Sequence, residues 1–165
     1  MHGLECVLPN GDVLRLGGKR MKDVTGYDLI HLLVGSEGTL AVFTEITLKL
    51  MALPKAAADL LVLFPDPASA IGMVPRIMTE SGIVPTAIEF MDRLSAQTSC
   101  DYLNEHFAYQ EAGAMLLITV DGYDVEQVER DYEAIGELCL AHGAIEVYVA
   151  DNPTASERVW RVRRN

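Results

Sequence analysis

Two glycines, a serine, a threonine and a glutamate fall together in Gly35-Ser36-Glu37-Gly38-Thr39, followed by Leu40, Ala41 and Val42. Glycine lets backbone N–H groups approach a ligand closely, and Ser36 and Thr39 add hydroxyl donors. This set suits the polar parts of a nucleotide cofactor. A glycine at a helix-to-strand connection also serves to end the helix in a left-handed conformation, so a C-cap and turn is the plain alternative. The stretch has no Gly-Lys-Ser/Thr and follows a helical pattern, so neither a P-loop nor a dinucleotide-binding βαβ fingerprint fits.

Other reactive side chains form no recognisable set. His2, His31, His106 and His142 lack metal-ligand spacing, and no Ser-His-Asp or Cys-His arrangement can be assembled from them. His31 stands one turn from Tyr27, where a structural or surface role competes with a chemical one. Asp28 and Glu37 flank the loop, but helix N-terminal and turn roles explain them as well. Lys19, Arg20 and Lys22 form either a solvated basic face or a patch that steers an anionic cofactor.

These residues need elements to hold them. Leu4–Leu8 and Val13–Leu16, joined by Pro9-Asn10-Gly11-Asp12, are expected to form a β-hairpin. Leu29, Leu32 and Leu33 recur at helical spacing from Gly26 onward. After the loop, Val42, Thr44, Ile46, Leu48 and Leu50 alternate with Phe43, Glu45, Thr47 and Lys49, predicting a long strand that Pro54 ends. A second unit follows. Leu60–Phe64 is a buried strand, and Asp66-Pro67 opens a helix with the stripe Ile71, Val74, Ile77 and Met78, kinked at Pro75 and ended by Gly82. Thr86–Met91 is a strand, and Asp92 caps a helix through Leu94, Thr98 and Tyr102 toward His106. Ala114–Val120 is a strand, and Asp124 and Gln127 resemble a capping box for a helix through Val125, Val128, Tyr132, Ile135 and Leu138, stopped by Gly143. Ala144–Val149 is the last strand, and Thr154 and Glu157 cap a final helix. The alternating order predicts an α+β fold of ferredoxin-like arrangement, an antiparallel sheet with helices packed on one face.

The stretch Thr25–Leu50, with Gly26-Tyr27-Asp28-Leu29, Gly-Ser-Glu-Gly-Thr-Leu and Thr44-Glu45 in order, closely resembles the end of the FAD-binding domain in FAD-linked oxidases of the vanillyl-alcohol-oxidase type. The branches it looks most like are the glycolate oxidase D-subunit and the D-lactate and D-2-hydroxyglutarate dehydrogenases. The resemblance implies that residues 1–53 are the last part of an FAD-binding (PCMH-type) domain: a β-hairpin–helix–strand remnant. Residues 54–165 then belong to the C-terminal cap or substrate domain. It also implies that Gly35, Ser36, Glu37, Gly38, Thr39, Leu40, Ala41 and Val42 line the FAD. The family usually has Gly where this chain has Ala41, whose methyl would restrict the backbone and press toward the flavin. Trp160-Arg161-Val162-Arg163 is similar to the family's Trp-x-x-Arg, and on that alignment Arg163 grips the substrate carboxylate through its two-pronged guanidinium. A basic last turn complementing the helix dipole explains Arg163 equally well.

Composition narrows the setting. The 165 residues are 50% hydrophobic with mean hydropathy +0.17, which is ample material for a core. A net charge of -11 disfavours nucleic acid and anionic membrane surfaces. The longest apolar-rich run, Ala114–Val120, is far short of the ~20 residues that span a bilayer. No signal peptide is visible, and the three cysteines, odd in number and widely spaced, favour a reducing, cytoplasmic setting. The family's Gly-rich pyrophosphate-holding segments precede the hairpin and are not among these residues. The expectation is therefore a fragment of an FAD-dependent oxidoreductase that oxidises a small 2-hydroxy acid such as glycolate or D-lactate, working with other oxidase subunits or an iron–sulfur partner. The competing reading is a non-catalytic α+β interaction or small-ligand module that self-associates, as a homodimer.

Overall fold

The computed structural model of the chain describes residues 1–105 and 111–165. Two compact units divide at Ala52 and Leu53.

In the first unit, β1 (Gly3–Val7), β2 (Val13–Gly17) and β3 (Val42–Thr47) form an antiparallel sheet ordered β2-β1-β3. The hairpin turn is closed by Asn10, whose Oδ1 accepts from the Asp12 N–H at 3.1 Å, with Gly11 at φ 90°. At the open end Gly3 pairs with Gly17, and a Cβ on Gly17 would lie 2.2 Å from the His2 carbonyl. Leu4, Cys6, Leu33 and Ala41 form the core, and Leu14, Leu16, Ile30 and Phe43 pack on it.

Two expectations fail here, for physical reasons. A register shift between Glu5 and Cys6 places a bulge at Thr44, whose hydroxyl donates to Glu5 Oε1 at 2.8 Å. The bulge breaks the alternation, so Phe43 packs on the core while Val42 faces outward. The strand also stops at Thr47 instead of running to Pro54. Its ladder partner among the described residues, β1, begins at Gly3, which pairs with Thr47, and Leu48, Leu50 and Met51 beyond it are exposed. The helix α1 (Leu29–Leu33) is likewise shorter than expected. It starts at its N-cap Asp28, because Gly26 sits at φ 83°.

In the second unit, β4 (Ala56–Phe64), β5 (Ala87–Asp92), β6 (Ala114–Gly122) and β7 (Glu146–Ala150) form a sheet ordered β5-β6-β4-β7, antiparallel at every pairing. Helices α2 (Pro67–Glu80) and α4 (Val125–Ala141) make the β4–α2–β5 and β6–α4–β7 crossovers of a ferredoxin-like α+β fold. Leu60, Val62, Phe64, Leu116 and Ile118 meet Met73, Ile77, Val128 and Ile135 on that face. The opposite face is covered too. Leu61, Leu63, Met115 and Leu117 pack against Cys100 of α3 (Arg93–Leu103) and against Val159 and Val162 of α5 (Pro153–Arg164). Helices therefore cover both faces, not one, which explains why residues 60–64 and 114–118 read as continuous apolar runs and not as alternating strands.

Local details also move. Ala70, Met73 and Ile77 are the buried stripe of α2, while Ile71 and Met78 are exposed, and the helix continues through Pro75. Helix α3 buries Ala96, Ser99 and Cys100, turns Leu94 and Tyr102 outward, and ends at left-handed Asn104; His106 lies outside the described residues. Helix α5 is capped by Asn152, which accepts from the Ala155 N–H at 3.0 Å with Pro153 at the first position, and not by Thr154. Among the described residues no helix is long and apolar enough to cross a membrane.

Candidate functional site

The glycine-hydroxyl loop hangs between α1 and β3. Asp28 fixes its entry: one carboxylate oxygen accepts from the His31 N–H at 3.2 Å, and the other lies 2.6 Å from His31 Nδ1. The backbone bond and then the ring bond hold the Asp28 carboxyl below its ordinary value. Helix α1 closes with Val34 N–H donating to Ile30 O at 2.9 Å, and Ser36 N–H then donates to Leu33 O at 3.1 Å. Thr39 pins the far side, with its N–H and hydroxyl both donating to Ser36 O, at 2.9 and 2.7 Å.

Between these pins the backbone runs through the left-handed region three times, at Gly35 (φ 86°), Glu37 (φ 49°) and Gly38 (φ 78°). Nothing lies within 4 Å of where a Cβ on Gly35 or Gly38 would stand, so the loop is open on that side. Glu37 is a non-glycine residue in a conformation that favours glycine, a small strain retained where the loop turns. The Ser36 Oγ is buried and has no hydrogen-bond partner. An orphaned hydroxyl inside an open loop with free space at both glycines fits the polar part of FAD better than a plain turn, in which every buried polar atom would be satisfied. The Ala41 methyl does not press outward. It is buried with Leu4, Cys6 and Leu33, so Ala41 anchors the loop while Leu40 and Val42 stay exposed.

Arg163 belongs to the second unit. Its Nε and Nη2 both donate to Glu89 Oε2 of β5, at 3.0 and 2.7 Å. The neighbouring arginines are engaged separately: Arg164 stacks over the Trp160 ring at 5.4 Å and pairs with Glu157 at 3.4 Å, and Arg158 pairs with Glu105 at 2.6 Å. Helix α5 is clamped to the sheet by a buried carboxylate. Asp59, only 4% exposed in the middle of β4, accepts hydroxyl bonds from Thr119 of β6 and Ser156 of α5.

The loop residues 35–42 are thus one local group, and Arg163 is held in a different unit. Neither Glu89 nor the Asp59 clamp was singled out from sequence. For Asp59 a signal existed, an acid set inside the apolar run Ala56–Phe64, where only a hydrogen-bonded carboxylate is tolerated. Among the described residues two further histidines make local contacts: His142 lies 3.0 Å from Glu80 and 3.3 Å from Arg76, and His2 lies 3.3 Å from the Arg20 carbonyl. Burial pushes the Cys139 thiol up to about 12, and it raises that of Cys100, so neither is a reactive thiolate.

Residues 53–165 match the family described as FAD linked oxidases, C-terminal domain. The chain belongs to that family. It is 40% identical over 163 residues to the glycolate oxidase subunit GlcD of Bacillus subtilis, an alignment covering 99% of this chain and 34% of that protein. It is 35% identical over 168 residues to the D-lactate dehydrogenase of Anaerostipes hadrus, covering 99% of this chain and 35% of that protein. Among solved structures, 4-ethylphenol oxidase from Gulosibacter chungangensis shares the fold, with TM-score 0.63 at 17% identity over 99% of this chain and 37% of that one. The chain spans about a third of the length of the curated relatives it matches. FAD is the cofactor of the family to which it belongs.

Proposed function

We propose that residues 1–53 are the end of an FAD-binding domain and residues 54–165 the substrate-side domain of an FAD-dependent oxidoreductase acting on a small 2-hydroxy acid of the glycolate or D-lactate type. The observation that carries this reading is the open loop with the unpartnered Ser36 hydroxyl, within a chain of the FAD-linked oxidase family. The names of the two relatives support the substrate class.

Residues 35–42 would hold the cofactor. Ser36 Oγ and the N–H groups of Glu37 and Gly38, which among the described residues take part in none of the loop's own backbone bonds, would donate to its polar oxygens. Arg163 would bind the substrate carboxylate by charge-assisted hydrogen bonds and so fix which face of C2 is presented. Bound FAD would supply the two-electron acceptor needed to oxidise the C2 hydroxyl of a 2-hydroxy acid to the carbonyl of a 2-oxo acid. The relatives named as a subunit of glycolate oxidase support work alongside further oxidase subunits.

Steady-state assay of the gene product carrying these residues, with an artificial electron acceptor, tests the reading. Turnover of glycolate or D-lactate is expected; no turnover of any 2-hydroxy acid contradicts it. A second reading, a self-associating module without chemistry, draws on the exposed apolar side chains Met21, Val24 and Tyr27 of the first unit. Light scattering decides that point, and a clean monomer removes it.

A further inference from the structure

We infer that Glu89 is a positioning residue: it holds one edge of the Arg163 guanidinium so that the other edge is presented, already oriented, to a substrate carboxylate. The inference rests on the reading of Arg163 given above. A guanidinium carries five N–H donors in two usable edges. The side edge, formed by Nε and Nη2, is spent on a single oxygen of Glu89. The end edge, formed by one hydrogen of Nη1 and the second of Nη2, has no partner among the described residues. It is the edge whose parallel donors match a second carboxylate.

The surroundings make this hold rigid. Glu89 is in the ladder of β5 opposite Leu117, so its backbone is fixed by the sheet. Val162 beside Arg163 is buried in the second core, and Ser156 about two turns earlier is tied to Asp59. The Arg163 side chain remains 40% exposed, open to a ligand. An unheld arginine loses several rotatable bonds' worth of freedom when it binds an anion, and Glu89 removes that loss beforehand. Glu89 also brings a negative charge near the incoming carboxylate, so the two effects must be separated by a variant that keeps the charge and moves the oxygen.

Glu89→Asp does this, since it withdraws the carboxylate by one methylene. The Arg163 side-chain Nε–Hε signal, assigned by its absence in Arg163→Lys, is followed by NMR in the 15N-labelled full chain during titration with glycolate. In the unchanged chain the expected result is a saturable shift of the Arg163 backbone amide signal, with the side-chain Nε–Hε signal keeping its hydrogen-bonded position throughout. Glu89→Asp should bind glycolate roughly tenfold more weakly, with an unchanged melting temperature. Equal affinity in Glu89→Asp overturns the positioning role. Tighter binding in both Glu89→Asp and Glu89→Gln, or loss of the Nε–Hε position on adding glycolate, makes Glu89 a competitor for the guanidinium and also overturns it. If Arg163→Lys binds glycolate as the unchanged chain does, the carboxylate reading of Arg163 itself falls, and the role of Glu89 with it.

Discussion

Ser36 separates a cofactor loop from a turn by the sign of one substitution. Its hydroxyl is buried without a partner, so Ser36→Ala removes an unsatisfied group and should leave the cofactor-free chain as stable as before or slightly more stable. The same change should lower FAD retention in the gene product, because the donor is lost where it is used. Melting temperature and the flavin content after desalting measure the two effects; a loss of stability without loss of flavin would mean that Ser36 is structural. Asp59 is the opposite kind of residue. Asp59→Ala leaves the Thr119 and Ser156 hydroxyls unpaired in the core and should cost about 2–4 kcal/mol in urea unfolding. Hydrogen exchange should accelerate first in α5, the helix that the carboxylate ties down. Protection of α5 equal to that of the unchanged chain would deny the clamp.

Helix starts give the pH dependence its sign. Asp66 and Asp92 accept the Ser69 and Ser95 N–H groups at 2.8 and 2.7 Å, and those backbone bonds first, then the serine side chains, hold both carboxyls below their ordinary value. Their folded-state pKa lies below the unfolded one. The stability they add is therefore complete above the ordinary carboxylate value and is lost as pH falls through the folded-state value. The melting temperature should be flat from about pH 7 to 5 and decline below about pH 4, and Asp66→Asn with Asp92→Asn should make that decline shallower. An unchanged acid limb would contradict the capping account. These two caps and Asp124 were legible because an acid stood just ahead of each apolar period. The cap of α5 was not: Asn152-Pro153 repeats the Asp66-Pro67 pattern, but Thr154 and Glu157 offered a competing capping box two residues further on. The hairpin was legible from Pro9-Asn10-Gly11-Asp12, whereas the bulge at Thr44 was not, since it depends on which strand lies opposite. The same is true of the stripe on α2. Ile71 and Met78 have the right chemistry for a core, and only the placing of the sheet turns Ala70 and Met73 inward instead.

At the scale of the molecule, the loop was readable from sequence because its glycines and hydroxyls are contiguous. The Arg163–Glu89 pair was not, because 74 residues separate its members and the sheet brings them together. The central claim is that this chain carries the flavin-contacting end of one domain and the substrate side of another. The visible spectrum tests it most directly. The gene product carrying these residues is saturated with FAD, desalted, and mixed anaerobically with glycolate or D-lactate. A retained flavin band at about 450 nm that bleaches with one of these acids is the predicted result. A protein that emerges colourless, or a retained band that no 2-hydroxy acid bleaches, would contradict the account.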